Sequence, residues 1–117
     1  MQTIIVTGAG SGVGRATAHA FLKAGWKVGL VGRREAPLQE TAEGYEHAMV
    51  LPCDVTNEDQ VAEQFGKAHA AWGRLDALFN NAGVSMKGAP IDELSVEEFR
   101  TLMDVNVSGA FIAARAA

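Results

Sequence analysis

This sequence has few of the features that bind metals, membranes or nucleic acids. Cys53 is the only cysteine, so neither an internal disulfide nor a multi-cysteine metal site can form. The net charge of -4 supplies no basic field for a phosphate backbone, and we expect no nucleic-acid partner. No stretch approaches the roughly 18 consecutive apolar residues of a membrane span, and we expect no membrane partner.

Signs of export are missing as well. Met1 leads straight into a strand pattern instead of a basic segment and an apolar signal region, which predicts a cytoplasmic protein. Cys53 is interpreted as a small buried hydrophobe at a strand end; a reactive thiol is the less favoured alternative because no activating neighbour is evident. The three histidines show no metal-ligand spacing, and no metal site is predicted.

What the sequence does contain is a globular composition with a regular pattern. Its 117 residues, 48% hydrophobic and 21% charged, suit one ordered domain over residues 1–117. Short β-branched runs at 3–7, 27–31, 48–51 and 75–79 alternate with helical spacing. This alternation predicts an α/β fold with a doubly wound parallel sheet, Rossmann-like, of about four strands with flanking helices.

Helix boundaries follow from capping signals. Helices are predicted near 13–24 and 35–43, and a third begins at a capping box formed by Thr56 and Asp59. A second capping box, Ser95 with Glu98, opens one long helix that runs to the chain end. That helix would leave an apolar face uncovered and the fourth strand would be a sheet edge, so we expect a truncated part of a longer fold.

A glycine-rich turn lies between the first predicted strand and the first predicted helix. Residues 7–14 read T-G-A-G-S-G-V-G, and backbone amides at such a junction can converge on a diphosphate. Glycine is needed there for positive φ angles, for close approach of a ligand and for packing of helix on sheet. The predicted cofactor-binding residues of this turn are Gly8, Ser11, Gly12, Val13 and Gly14.

The spacing T-G-x-x-x-G-x-G differs from the G-x-G-x-x-G fingerprint, because position 13 is valine. It resembles the turn of the short-chain dehydrogenases/reductases. An extended relative such as a sugar-nucleotide epimerase is disfavoured, since those relatives usually carry T-G-x-x-G-x-x-G.

Two further motifs are similar to that family. Asp54 and Val55 follow the third strand, and the resemblance implies that they contact the adenine; a turn aspartate is the alternative. Residues 80–83 read N-N-A-G, which implies cofactor contacts from Asn80, Ala82 and Gly83, mostly through the backbone. Asn81 is left open as a purely structural residue.

The end of the second strand suggests which dinucleotide is bound. NAD-binding folds usually present an acid there, whereas this chain has Arg33 and Arg34. Guanidinium groups can bind the extra phosphate of NADP in a fork, so the pattern favours NADP, with NAD as the second possibility. Two solvated arginines are the alternative interpretation, and Ser11 stands where some NADP-using relatives have a basic residue.

Catalysis is the least complete part of the pattern. The segment around Asn106 is similar to the family's V-N-x-x-G string, which implies that Asn106 holds a water in a proton relay; a satisfied core amide is the alternative. The family's Tyr-x-x-x-Lys pair is missing, because Tyr45 is the only tyrosine and Met49 lies four residues on.

The resemblance implies an oxidoreductase that moves hydride between NADP(H) and a small carbonyl or alcohol substrate, represented here by its cofactor-binding half. We expect this half alone to be inactive. A non-catalytic dinucleotide-binding module or sensor is the alternative. The resemblance also implies a homo-oligomer when the protein is full length, and of this half only residues 84–91 are expected to reach a substrate.

Overall fold

The computed structural model describes residues 1–83 and 90–117 and confirms the predicted α/β fold. The strands are Thr3–Thr7 (β1), Lys27–Gly32 (β2), Ala48–Pro52 (β3) and Ala77–Phe79 (β4). The α-helices are Gly12–Lys23 (α1), Glu35–Ala42 (α2), Glu58–Trp72 (α3), Val96–Met103 (α4) and Gly109–Ala116 (α5). A 3-10 turn spans Ile91–Glu93 and a π-helical turn spans Asp104–Ser108.

The four strands form one parallel sheet in the order β3-β2-β1-β4. Ile5 of β1 lies beside Gly29 on one side and Leu78 on the other. The chain adds β2 and β3 on one side of β1 and then returns to place β4 on the opposite side. Ligands of open α/β sheets bind at such a reversal, outside the carboxyl ends of the strands.

Alternate residues of the strands bury two cores, one on each face of the sheet. On one face, α1 and α2 cover Ile4, Val6, Val28 and Leu30, with Leu38 packed among them. On the other face, α3 and α5 cover a second cluster. The members of that cluster are Ile5, Val31, Leu51, Cys53, Val55, Val61, Phe65, Ala68 and Ala113. Helices cover both faces, which explains why the strands are nearly continuous apolar runs.

The predicted start of α3 is wrong in its detail. The N-cap is Asn57, whose side-chain oxygen accepts from the amide of Gln60 at 3.0 Å, and the helix begins at Glu58. Thr56 does not cap the helix and lies in the turn before Asn57, where its hydroxyl donates to Asp54 Oδ1 at 2.7 Å. The capping residue at Ser95 is confirmed, since its hydroxyl accepts from the amide of Glu98 at 3.0 Å.

The single long helix predicted after Ser95 is observed as three consecutive segments. α4 and α5 are joined by the π-helical turn, which contains Asn106. Such turns insert one residue into a helix and are frequent at functional sites. In the described part of the chain, no helix is both long and apolar enough to cross a membrane.

The fourth strand is shorter than predicted, and just before it Asp76 pairs with Thr3 through backbone and side-chain bonds, with the Asp76 amide 3.2 Å from the Thr3 carbonyl oxygen. Asp76 Oδ2 accepts from the amide of Thr3 at 2.8 Å, and the Asp76 amide donates to the Thr3 hydroxyl at 3.1 Å. Arg74 Nε donates to the other carboxylate oxygen at 3.0 Å. The hydrogen-bonded Arg74 guanidinium and then the Thr3 amide lower the pKa of Asp76.

This pairing predicts a pH dependence of stability. A carboxylate whose pKa is lowered by folding stabilises the protein above its unfolded pKa, and that stability is lost as pH falls through the lowered folded value. The Asp76→Asn variant should therefore unfold more readily than wild type near neutral pH, with the difference shrinking in acid. Denaturant unfolding at several pH values measures this; Glu46→Gln in the loop before β3 is the control. An equal loss of stability at all pH values would contradict the assignment.

Candidate functional site

The glycine-rich turn leaves β1 at the point where the strand order reverses. Gly8 and Gly12 adopt positive φ angles of 68° and 54°, which side chains other than glycine rarely tolerate. A Cβ placed on Gly12 would meet nothing within 4 Å. The turn therefore presents open space in front of α1, as a cradle for a ligand requires.

Gly14 serves a different purpose, which is contact between helix and strand. A Cβ on Gly14 would lie 2.0 Å from the Gly8 carbonyl oxygen and 2.9 Å from Asn81 Nδ2. No side chain fits in that space. Only glycine lets the first turn of α1 lie against the end of β1.

The N-terminus of α1 is not capped by a side chain. Ser11 is the N-cap residue with extended backbone, but its hydroxyl makes no capping hydrogen bond. The amides of the first turn, including those of Gly12 and Val13, are thus left for another acceptor. Because a helix N-terminus attracts anions, these residues fit the diphosphate of a dinucleotide.

Thr7 joins the turn to the end of β4 and was not singled out from the sequence. Its buried hydroxyl accepts from the amides of Asn81 and Ala82 at 2.9 Å and 2.8 Å. These bonds hold the N-N-A-G segment beside Gly8. A threonine at the first position of the glycine motif is the signal that could have identified it.

A cavity of about 140 Å³ brings together residues that are far apart in the sequence. It lies at the carboxyl edge of the sheet and contains six predicted cofactor-binding residues, along with three others. The lining residues are Gly8, Gly32, Arg33, Cys53, Asp54, Val55, Ala82, Gly83 and Val105.

A second, more open groove of about 350 Å³ borders the first. It runs between the glycine-rich turn and α2, and Gly8, Gly32 and Arg33 line both spaces. Its other lining residues are Gly10, Ser11, Arg15, Arg34, Pro37, Leu38 and Glu40. Arg33 therefore stands where the two spaces meet.

Asp54 is both a turn residue and a lining residue of the cavity. Its Oδ1 accepts from the amide and hydroxyl of Thr56 at 2.9 Å and 2.7 Å, which lowers the carboxyl pKa. The nearby charge of Arg33 contributes to the same shift as a minor cause. Within residues 1–83 and 90–117, Oδ2 has no hydrogen-bond partner, so a carboxylate oxygen is available for a donor.

The two asparagines after β4 are placed differently from each other. Asn80 is exposed, and its side-chain amide donates to the carbonyl of Ala110 at 2.7 Å, which ties β4 to α5. Asn81 lies beside Gly8 and Gly14, as expected of a structural residue. Asn80 does not line the cavity, while Ala82 and Gly83 do.

Asn106 is carried towards the cavity by the π-helical turn. A Cβ on Gly83 would lie 2.8 Å from Asn106 Oδ1, so the amide sits directly against the glycine that ends the N-N-A-G segment. Behind it, Gly109 lets the helix approach Val55, where a Cβ would lie 2.7 Å from Val55 Cγ2. The helix bend and the small residues together place Asn106 at the rim.

Tyr45 lies outside this region. Its ring stacks on His19 with the centroids 5.2 Å apart, on the face covered by α1 and α2. Among the described residues, no group of three or more His, Cys, Asp or Glu could hold a metal. The predicted substrate-contacting segment falls largely on 84–89, outside the described residues.

Fold and geometry define this chain as an α/β protein with a dinucleotide-binding cradle at a strand reversal. Its sequence matches the family described as short chain dehydrogenase over residues 2–117. The chain belongs to the short-chain dehydrogenase family, whose members use NAD(P).

Relatives in this family agree with that placement. A 2,5-dichloro-2,5-cyclohexadiene-1,4-diol dehydrogenase of Sphingobium indicum is 40% identical over 95% of this chain and 45% of its own length. Serine 3-dehydrogenase of Agrobacterium fabrum is 36% identical over 92% of this chain and 43% of its own length.

A solved structure is similar as well. The 3-ketoacyl-(acyl-carrier-protein) reductase from Brucella melitensis, complexed with NADH, has a TM-score of 0.94 and 34% identity, covering 97% of this chain and 47% of that one. The chain thus spans about half the length of the relatives it matches.

The close packing of α1 on β1 predicts that alanine substitutions at two glycines will differ sharply in their effect on stability. Gly14→Ala should strongly destabilise the protein, by more than about 2 kcal/mol, because its Cβ would overlap the Gly8 carbonyl. Gly66→Ala, inside α3 with open space around it, should be neutral or stabilising by up to about 1 kcal/mol. Denaturant unfolding compares them, and equal effects would contradict the packing argument.

Cys53 is confirmed as a buried residue and should be chemically inert in the native state. Burial, and then the charge of Asp54, raises its pKa to about 11, so the thiolate is scarce at neutral pH. A thiol reagent should label Cys53 only as fast as the protein unfolds, and denaturant should abolish the protection. Rapid labelling of native protein at pH 7 would overturn this expectation.

Proposed function

We propose that the protein is an NADP(H)-preferring oxidoreductase that transfers hydride between the dinucleotide and a small carbonyl or alcohol substrate. The observation that carries the preference is Arg33, which borders both the cavity and the groove, with Arg34 beside it and no carboxylate ending β2. A guanidinium at this point attracts a ribose phosphate, whereas the usual acid would repel it.

The cofactor would lie along the carboxyl edge of the sheet. Amides of Gly12, Val13 and Gly14, with Ser11, would bind the diphosphate, while Gly8 borders it and lets Asn81 and Ala82 pack against the turn. Asp54 and Val55 would receive the adenine, with Asp54 Oδ2 as acceptor for its exocyclic amine. When bound, the dinucleotide supplies or accepts the hydride.

The N-N-A-G segment would line the ribose side of this path. Ala82 and Gly83 contribute little bulk, and Asn80, whose side-chain amide is bonded to α5, would contact the cofactor through its backbone. Asn106, which touches Gly83, would hold a water at the inner end of the site and pass protons through it.

We expect the 117-residue chain by itself to bind dinucleotide without turning over substrate, because it has no Tyr-x-x-x-Lys pair. Tyr45 is remote from the cavity, which removes the only tyrosine as a general acid or base. The alternative function is a dinucleotide-binding module or sensor. Hydride transfer by the full-length protein, followed as NADPH absorbance with a panel of carbonyl compounds, separates the two.

Substrate, assembly and compartment are proposed only as classes. The similar proteins are named for a cyclic diol, the amino acid serine and a 3-ketoacyl group on acyl-carrier protein. These names do not point to one substrate. Homo-oligomer formation is supported by an exposed apolar stripe along α4, the π turn and α5. The stripe consists of Val96, Phe99, Met103, Val107 and Phe111. We propose a cytoplasmic location.

The preference for NADPH over NADH is measured by equilibrium titration with each dinucleotide, following tryptophan fluorescence. NADPH should bind more tightly, and Arg33→Ala should weaken NADPH binding by about tenfold or more, with less effect on NADH. Arg100→Ala, which removes an exposed arginine on α4, is the control. Tighter binding of NADH than of NADPH would refute the proposed preference for NADP(H). The similar reductase from Brucella melitensis is complexed with NADH.

A further inference from the structure

Two consecutive carbonyl groups of the glycine-rich turn are each held by a side chain. The Thr41 hydroxyl has two carbonyl acceptors within reach, and Ala9 at 2.9 Å is nearer than Pro37 at 3.1 Å. Arg15 Nη2 donates to the carbonyl of Gly10 at 2.5 Å. Arg15 Nε also donates to the Thr41 hydroxyl at 3.1 Å, which joins the two bonds into one network. Thr41 is fully buried on α2, so the network has a fixed support.

These bonds hold the peptide units of the turn whose C=O and N–H groups can most easily reverse direction. Rotating a peptide unit changes ψ of one residue and φ of the next, and glycine tolerates φ of either sign. The peptide unit before Gly10 can therefore rotate at little steric cost, while the unit after Gly10 is free only in ψ of Gly10, because its rotation also changes φ of Ser11. Because the C=O and N–H of a trans peptide point in opposite directions, fixing the oxygens of Ala9 and Gly10 also fixes the amides of Gly10 and Ser11.

The orientation of these groups matters to an anion. A diphosphate is attracted by N–H groups and repelled by carbonyl oxygens, and a cradle that must first reorient its peptides binds more weakly than a preorganised one. The amide of Ala9 is already held by the carbonyl of Val31 at 3.1 Å. With the oxygens of Ala9 and Gly10 held as well, the turn has one arrangement.

We propose that Arg15 is a positioning residue for the bound dinucleotide, which acts with Thr41 to lock the peptide units of the turn so that no carbonyl faces the diphosphate. This proposal rests on the proposed function, because it requires a diphosphate at the turn. The ion pair of Arg15 with Glu40 does not account for this positioning of the turn, since it spans 3.5 Å between side chains that are 37% and 70% exposed.

The test separates hydrogen-bond geometry from charge. Arg15→Lys keeps the charge but cannot reach both acceptors, and we expect dissociation constants for NADPH and NADH to rise by about tenfold together. Thr41→Val removes the hydroxyl without changing charge and should weaken both in the same direction, whereas Thr41→Ser should restore binding. Lys23→Gln, at the end of α1, is the matched control for lost charge.

Several outcomes would overturn the proposal. Wild-type affinity in Arg15→Lys combined with weak binding in Arg15→Gln would show that charge alone matters. Wild-type affinity in Thr41→Val would show that the carbonyls need no lock. Unfolding midpoints are measured alongside; weak binding in a folded Arg15→Lys supports the lock, and lost binding only in unfolded variants contradicts it.

The result also distinguishes this proposal from the one it rests on. If the unaltered protein binds neither NADPH nor NADH, the proposed function fails. If it binds a dinucleotide and Arg15→Lys binds it equally well, only the positioning proposal fails.

Discussion

The contact between the first turn of α1 and the end of β1 is the constraint on which the rest of the site depends. With no side chain on Gly14, the helix N-terminus reaches Gly8 and Asn81. That approach fixes where the first amides of α1 stand relative to the sheet edge. The Thr7 hydroxyl then brings the end of β4 to the same point. A binding edge made of backbone is therefore assembled by one glycine and one threonine.

Electrostatics at this edge are divided between backbone and side chains. The amides of the turn and helix offer partial positive charge without a counter-ion, and Arg33 and Arg34 add full charges beside the groove. Among the described residues, Asp54 is the single carboxylate lining the cavity, and Thr56 keeps it ionised by donating two hydrogen bonds. Such an edge suits a ligand with phosphates at one position and a hydrogen-bond donor at another.

Sequence reasoning predicted the strands, the parallel sheet and most lining residues, because each depends on local pattern. Gly8, Arg33, Asp54, Val55, Ala82 and Gly83 all follow strand ends, and parallel strands bring those ends together. It missed Thr7, Arg15 and Thr41, each of which has at least one partner 26 to 75 residues away. It also placed the α3 cap one residue early, since Thr56 and Asn57 are both capping residue types and the local pattern does not show that Thr56 belongs to the turn with Asp54.

The π-helical turn at Asp104–Ser108 sets the phase between the two halves of the C-terminal helical run. Each residue of an α-helix turns by about 100°, so side chains four apart drift steadily around the axis. The wider turn offsets that drift, which keeps Val96, Met103 and Phe111 on one exposed side while Ala113 stays in the core. An α-helix through the same five residues would rotate α5 out of alignment with α4, so the local irregularity is what keeps both surfaces in register for this sequence.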